Sequence, residues 1–224
     1  MQKKRSRLIL FVAVVLIIVI VAAAIILTNL GSQSSQLVAG VKAGDTFTYE
    51  LEGLWQSNDP NATISDTILR LNMTEWYRII ITNVSNPEIS LHMVWRFKNG
   101  TEIETDGKAN IETGIYSGGF WAIYAANLDP GQLTHPKGPD RETINDTITR
   151  QYPDGTRETN RLILTTQFYN INDPSRIYTN YRTVQFDKKT GILVEFHDQN
   201  LYNTPEMTEI ISWRLRDSNV WTVT

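Results

Sequence analysis

Residues 88–103 read EISLHMVWRFKNGTEI, and their alternation sets the fold class. Ile89, Leu91, Met93, Trp95 and Phe97 recur at every second position, while Ser90, His92, Arg96 and Lys98 fall between them with Val94. Successive side chains of an extended chain point to opposite faces, so this is a strand with one apolar face. The turn then separates two registers. A two-residue turn at Asn99-Gly100 would set Phe97 opposite Glu102 and Trp95 opposite Glu104, and the apolar face would be wasted. A three-residue loop, Lys98-Asn99-Gly100, sets Trp95 opposite Ile103 and Arg96 opposite Glu102. That loop requires Gly100 in the left-handed region, which glycine enters without steric cost.

The same period extends both ways. Upstream, Phe47, Tyr49 and Leu51 alternate with Thr48, Glu50 and Glu52, and residues 77–82 form a second β-rich run. Downstream, strands are predicted over 161–169, 176–186, 192–198 and 207–216, with a glycine-closed hairpin over 186–191. Pro153-Asp154-Gly155 predicts another three-residue loop, pairing Arg150 with Glu158 and placing Ile148 on the face of Leu162 and Leu164. Residues 117–140 are the long irregular stretch, rich in Gly and Pro after Leu133. Phe120, Trp121, Ile123 and Tyr124 suit it to docking on the sheet, either as a crossover between two halves or as the lid of a ligand site. No amphipathic helical pattern stands out in residues 42–224. The expectation is an all-β ectodomain, an antiparallel meander forming a curved sheet or half-barrel.

A different signal precedes it. Residues 8–27, LILFVAVVLIIVIVAAAIIL, are apolar without interruption. As a helix this run spans about 30 Å, the thickness of a hydrocarbon core. Lys3, Lys4, Arg5 and Arg7 precede it, and no acidic residue occurs before Asp45. Basic flanks stay inside, so residues 1–7 are expected in the cytoplasm, 8–27 in the bilayer, 28–41 as a linker and 42–224 as an extracellular domain. Ala22, Ala23 and Ala24 allow signal cleavage instead, although signal cores usually run about 7–15 residues. The absence of cysteine excludes a lipid-modified N-terminus, disulfides and thiolate metal sites. A filament-type leader fits poorly, because Ser6 stands where a small Gly or Ala is usual.

Charge narrows the partners. Setting aside the four basic residues before the apolar run leaves 17 Lys and Arg against 24 Asp and Glu, a formal charge of −7. A mildly acidic domain without a basic stripe is a poor nucleic-acid binder.

Three stretches carry a resemblance: Gly44-Asp45-Thr46-Phe47-Thr48-Tyr49-Glu50, Ala126-Asn127-Leu128-Asp129-Pro130-Gly131-Gln132 and Asp187-Lys188-Lys189-Thr190-Gly191-Ile192-Leu193-Val194-Glu195. They resemble segments of uncharacterised archaeal membrane-anchored surface proteins. The succession of hairpin-linked strands is similar, more distantly, to the half-barrels of lipoprotein-carrier and lipid-binding domains. The resemblance implies location and fold and brings no catalytic residues with it.

Motifs for chemistry are missing. His92, His135 and His197 have no HxH or HExxH spacing, Ser117-Gly118-Gly119 is not a GxSxG elbow, and no Ca²⁺-loop spacing occurs. His197-Asp198 near Glu195 could orient a base, but on a strand edge such a pair is more often a solvated face. No metal or cofactor is expected. Five Asn-x-Ser/Thr triplets, at Asn61, Asn72, Asn83, Asn99 and Asn145, agree with an outward topology and with glycan attachment. Six tryptophans either fill the core or line a pocket for lipid or sugar. Trp95, Phe120, Trp121, Tyr124 and Trp213 are the candidate lining of an apolar-ligand site. The functional expectation is a non-catalytic binding or structural module of the envelope, contacting the bilayer through residues 8–27 and a lipid or an envelope protein outside it. A lipid carrier or sensor and a hydrolase without a recognisable motif remain the alternatives.

Overall fold

The computed structural model describes residues 37–169 and 177–224. The predicted anchor, 8–27, lies outside them, and no helix among the described residues is long and apolar enough to cross a membrane. Residues 37–41, read from sequence as the end of the linker, lie on the domain: Val41 is buried, and the Val38 carbonyl accepts from Ala126 N at 2.9 Å.

Among the described residues, nine antiparallel strands form one sheet: β1 (Thr46–Ser57), β2 (Thr74–Ser85), β3 (Glu88–Phe97), β4 (Glu102–Asn110), β5 (Asp146–Tyr152), β6 (Gly155–Phe168), β7 (Tyr178–Asp187), β8 (Leu193–Asn203) and β9 (Glu206–Ser218). Their spatial order is β4-β3-β2-β1-β9-β8-β7-β6-β5. Two meanders therefore grow outward from a central pair, and the first and last strands of the chain close the middle. Each hairpin pairs neighbours in sequence, while the β1–β9 pairing spans the whole domain, from Phe47 opposite Ser218 to Ser57 opposite Met207.

The quoted strand is β3, with the bounds read from its alternation. Trp95 faces Ile103, Arg96 faces Glu102, and Gly100 has φ of 85°, as the three-residue loop requires. The second hairpin corrects the expectation by one residue. Tyr152 pairs with Gly155 and Arg150 with Arg157, so Pro153-Asp154 is a two-residue loop and Ile148 sits opposite Thr159, off the face of Leu162 and Leu164. Gly155 does have a positive φ, 131°. The physical reason lies far away in sequence. Arg157 stacks 4.2 Å over Trp221, and Tyr152 meets the same indole edge-on at 6.2 Å. Both must share a face to do so, and a one-residue slip would separate them.

Among the described residues one helix interrupts the strands, contrary to the expectation of none: α1, Asp66–Asn72. Ser65 caps it, accepting from Ile68 N, and Ile68 and Leu71 are its buried face. Two apolar positions in two turns leave too weak a period to read from sequence. It packs where β1 carries Gly53, whose N–H donates to Asn72 Oδ1 at 3.0 Å.

The core lies on one face of the sheet. Phe47, Tyr49, Ile79, Ile81, Ile89 and Leu91 are at most 1 % exposed, and the chain between β4 and β5 supplies the opposing layer. The other face carries exposed ion pairs such as Arg216–Glu50 and Arg96 with Glu75 and Glu102, each worth little in water.

Candidate functional site

Residues 111–145 run from β4, one edge of the sheet, to β5, the other. A segment making that journey must cross a face, and it crosses the apolar one. Bridges at Ala109–Tyr116, Ile123–Ile192 and Leu133–Thr143 hold it in place. Its main anchorage is the β7–β8 turn: Tyr124 N donates to Gly191 O at 2.9 Å, Asn127 N to Lys188 O at 2.7 Å, and Lys188 Nζ reaches Asp129 at 2.9 Å. The Tyr49 hydroxyl donates to Leu193 O at 2.9 Å from below. Residues 44–50, 126–132 and 187–195 thus meet in one place. Phe120, Ala122, Ile123, Tyr124 and Ala125 are at most 2 % exposed, so the docked segment is as much core as the strands beneath it.

The five predicted lining residues do not form one cavity. Phe120 fills space, its ring 5.8 Å from Tyr49 and 6.3 Å from Trp213. On one side of it, Trp95 and Trp213 border an apolar pocket of about 150 Å³ with Leu51, Tyr77, Met93 and Ile103. Trp95 is held there by Arg70 at 4.3 Å over its ring, by stacked Phe97 at 5.1 Å, and by its indole N–H donating to Thr74 Oγ1 at 2.7 Å. On the other side, Trp121 and Tyr124 border a separate cleft of about 300 Å³. Of the six tryptophans, Trp221 is buried, whereas Trp95, Trp121 and Trp213 are partly buried against the core.

The second cleft is polar as well as aromatic. Gly114 and Tyr116 follow β4, Trp121 and Tyr124 belong to the crossing segment, and His135, Asp140 and Glu142 to its last third. Arg182 of β7 and Phe196 of β8 form the floor. His135 is fixed by Nδ1 donating to Ile111 O at 3.1 Å and by stacking on Tyr124, 5.2 Å between centroids. That bond leaves Nε2 as the free ring nitrogen, an acceptor in the neutral ring. Burial lowers the His135 pKa, which keeps the ring neutral, and raises that of Glu142, with Asp140 adding repulsion. Arg182 donates from Nε to Asp198 at 2.9 Å, so its charge is already matched, and Asp198 also accepts from buried Asn180 at 2.8 Å.

Sequence reasoning named two of these nine residues as ligand lining and missed the rest. Arg182, Glu142 and Asp140 carry no motif, and they converge only because β7 passes beneath the crossing segment. The remaining histidines stay apart. His92 pairs with Asp106 at 2.8 Å on the open face, and His197 bonds Ser212 Oγ at 3.2 Å. His197 and Asp198, adjacent on β8, point to opposite faces, so they form no dyad. No group of three or more potential metal ligands occurs among the described residues. The five sequon asparagines, Asn61, Asn72, Asn83, Asn99 and Asn145, are all exposed. Compared with known proteins, the chain matches no family profile, no curated protein and no solved structure.

Proposed function

We propose that this chain is a single-pass, outward-facing surface protein whose β domain is a non-catalytic binding or structural module of the cell envelope, built on a curved, half-barrel-like sheet. The observation that carries the reading is the docked segment 117–140. Its apolar side chains occupy the face that a lipid carrier would keep open. The space left at Trp95 and Trp213, about 150 Å³, is below the range of roughly 300–1,000 Å³ usual for small-molecule sites. The uninterrupted apolar run at 8–27 and the basic residues before it support the anchored, outward topology. Exposure of all five sequon asparagines is in keeping with a glycosylated surface, with Asn61 and Asn99 favoured by their turn contexts.

A carrier or sensor of lipid is the second reading, favoured by the apolar lining of the Trp95–Trp213 pocket. Titration of a fluorescent fatty acid into the detergent-solubilised protein distinguishes the two. Absence of saturable binding is expected. Saturable binding that Trp213→Ala abolishes would replace the structural module by the carrier.

A further inference from the structure

The cleft between Trp121 and Arg182 is poorly explained as a structural seam. A seam is either dry and apolar or has its polar groups paired, whereas here Asp140 and Glu142 line the cleft and their carboxylates have no ion pair among the described residues. Tyr124 is 2 % exposed as a residue, and it lines the cleft. Glu142 and Arg182 line the same cleft. Beside it, Tyr116 keeps half its surface, 52 %, in solvent. Trp121 meets Phe196 edge-on at 5.3 Å, which steadies the indole.

We infer that this cleft binds a neutral saccharide. A pyranose presents an apolar face of C–H groups, weakly positive, that suits the negative face of an aromatic ring. Its rim of hydroxyls both donates and accepts. Trp121 and Tyr116 offer the first kind of surface. Asp140 and Glu142 accept from sugar hydroxyls, and the Tyr124 hydroxyl both donates and accepts. The inventory argues against other small ligands. An anion, whether a fatty-acid carboxylate or a phosphate, meets two carboxylates and an arginine already engaged with Asp198. An acyl chain would strand every polar group in the cleft. A cation finds the Arg182 guanidinium on the floor of the cleft. Asp140 and Glu142 also border a shallower groove of about 450 Å³ with Asn145 and Ile163. The path therefore continues past the cleft, and a chain of sugar residues fits better than a single ring.

The site stands apart from the filled face at Trp95 and Trp213, so it survives whichever way the fatty-acid titration falls. Its test is a titration of the full chain in detergent, read by intrinsic tryptophan fluorescence and by saturation-transfer NMR. The probes are linear neutral gluco- and manno-oligosaccharides, with glucuronate, decanoate and spermidine as charged comparisons. Saturable binding of a neutral oligosaccharide is expected. Tyr124→Phe removes the hydroxyl and Glu142→Gln replaces one acceptor oxygen by a donor, both keeping shape, and each is expected to weaken it about 3- to 10-fold. Trp121→Ala is expected to abolish it, with circular dichroism confirming that the strands persist. Three results would overturn the proposal: no saturable response to any neutral sugar, unchanged affinity in both conservative variants, or binding of a charged comparison that is tighter than that of every sugar and is abolished by Trp121→Ala.

Discussion

Asp187 offers the sharpest test of how the covering segment is held. It ends β7 at the turn on which that segment rests, and it is 1 % exposed. Its carboxylate accepts from Arg157 through Nε at 2.7 Å and a terminal nitrogen at 2.9 Å. It also accepts from Thr190 N and Thr190 Oγ1, both at 2.8 Å, which fixes the turn itself. Asp187→Ala leaves the Arg157 guanidinium, whose side chain is 17 % exposed, without its counter-ion. Breaking one side of a buried pair costs about 3–5 kcal/mol, because an uncompensated charge remains. The Thr190 bonds fall within that figure, since the losses are coupled. Asp187→Asn keeps the shape and part of the bonding, so it should cost less, about 1.5–3 kcal/mol. Replacing both partners by leucine removes the stranded charge and is expected to recover much of the loss. Urea unfolding followed by tryptophan emission reads the change, because Trp221 lies directly beneath Arg157. A loss under about 1 kcal/mol in Asp187→Ala is the size expected of an exposed pair, and would refute the claim that this carboxylate anchors the turn.

Four further outcomes are expected. Gly100→Ala should lose about 1–2 kcal/mol through its positive φ alone, since nothing lies within 4 Å of the added carbon; unchanged chemical denaturation would mean that the loop is not left-handed there. Ser65→Ala should cost about 0.5–1 kcal/mol, the low end for a helix cap, because its bond to Ile68 N is long at 3.4 Å; a loss above about 2 kcal/mol would point to a further role. The His135 pKa is lowered below its ordinary 6.5, so its contribution is complete above that pH and is lost as pH falls toward the folded value. The Glu142 pKa is raised above its ordinary 4.5, so its contribution is complete below that pH and is lost as pH rises through the folded value. His135→Gln should therefore flatten the loss on the acid side of pH 6.5, and Glu142→Gln should gain stability at pH 7 relative to pH 4; profiles parallel to wild type would contradict both signs. Finally, protease added to intact cells should remove a C-terminal tag, and a protected tag would reverse the proposed topology.

Much of the sheet follows from local rules. Alternation located β3 to the residue, because a strand with one buried face must alternate, and the Lys98-Asn99-Gly100 loop set its register, because only one pairing kept Trp95 off a carboxylate. Phe47, Tyr49, Ile79, Trp95, Leu164 and Trp213 could be placed on one face by the same rule. The second hairpin shows where that rule stops. Arg150 and Arg157 face each other there because of Trp221 and Asp187, contacts that lie outside the hairpin and leave no mark on its own residues.

The candidate cleft lies further still from what local pattern can reach. Trp121 and Tyr124 were recognisable as aromatics in an irregular stretch. Their partners Glu142 and Arg182 are 18 and 58 residues beyond Tyr124 in the sequence, with no spacing between them for local geometry to constrain. By itself the sequence determined the β class, the strand positions, the long apolar N-terminal run and the acidic, cysteine-free composition, because these depend on side-chain period and count. Only the tertiary structure decided that β1 and β9 close the centre of the sheet and that the crossing segment fills its apolar face. It also decided which charges meet beside Tyr124, because each of these depends on chain segments brought together by folding rather than by sequence.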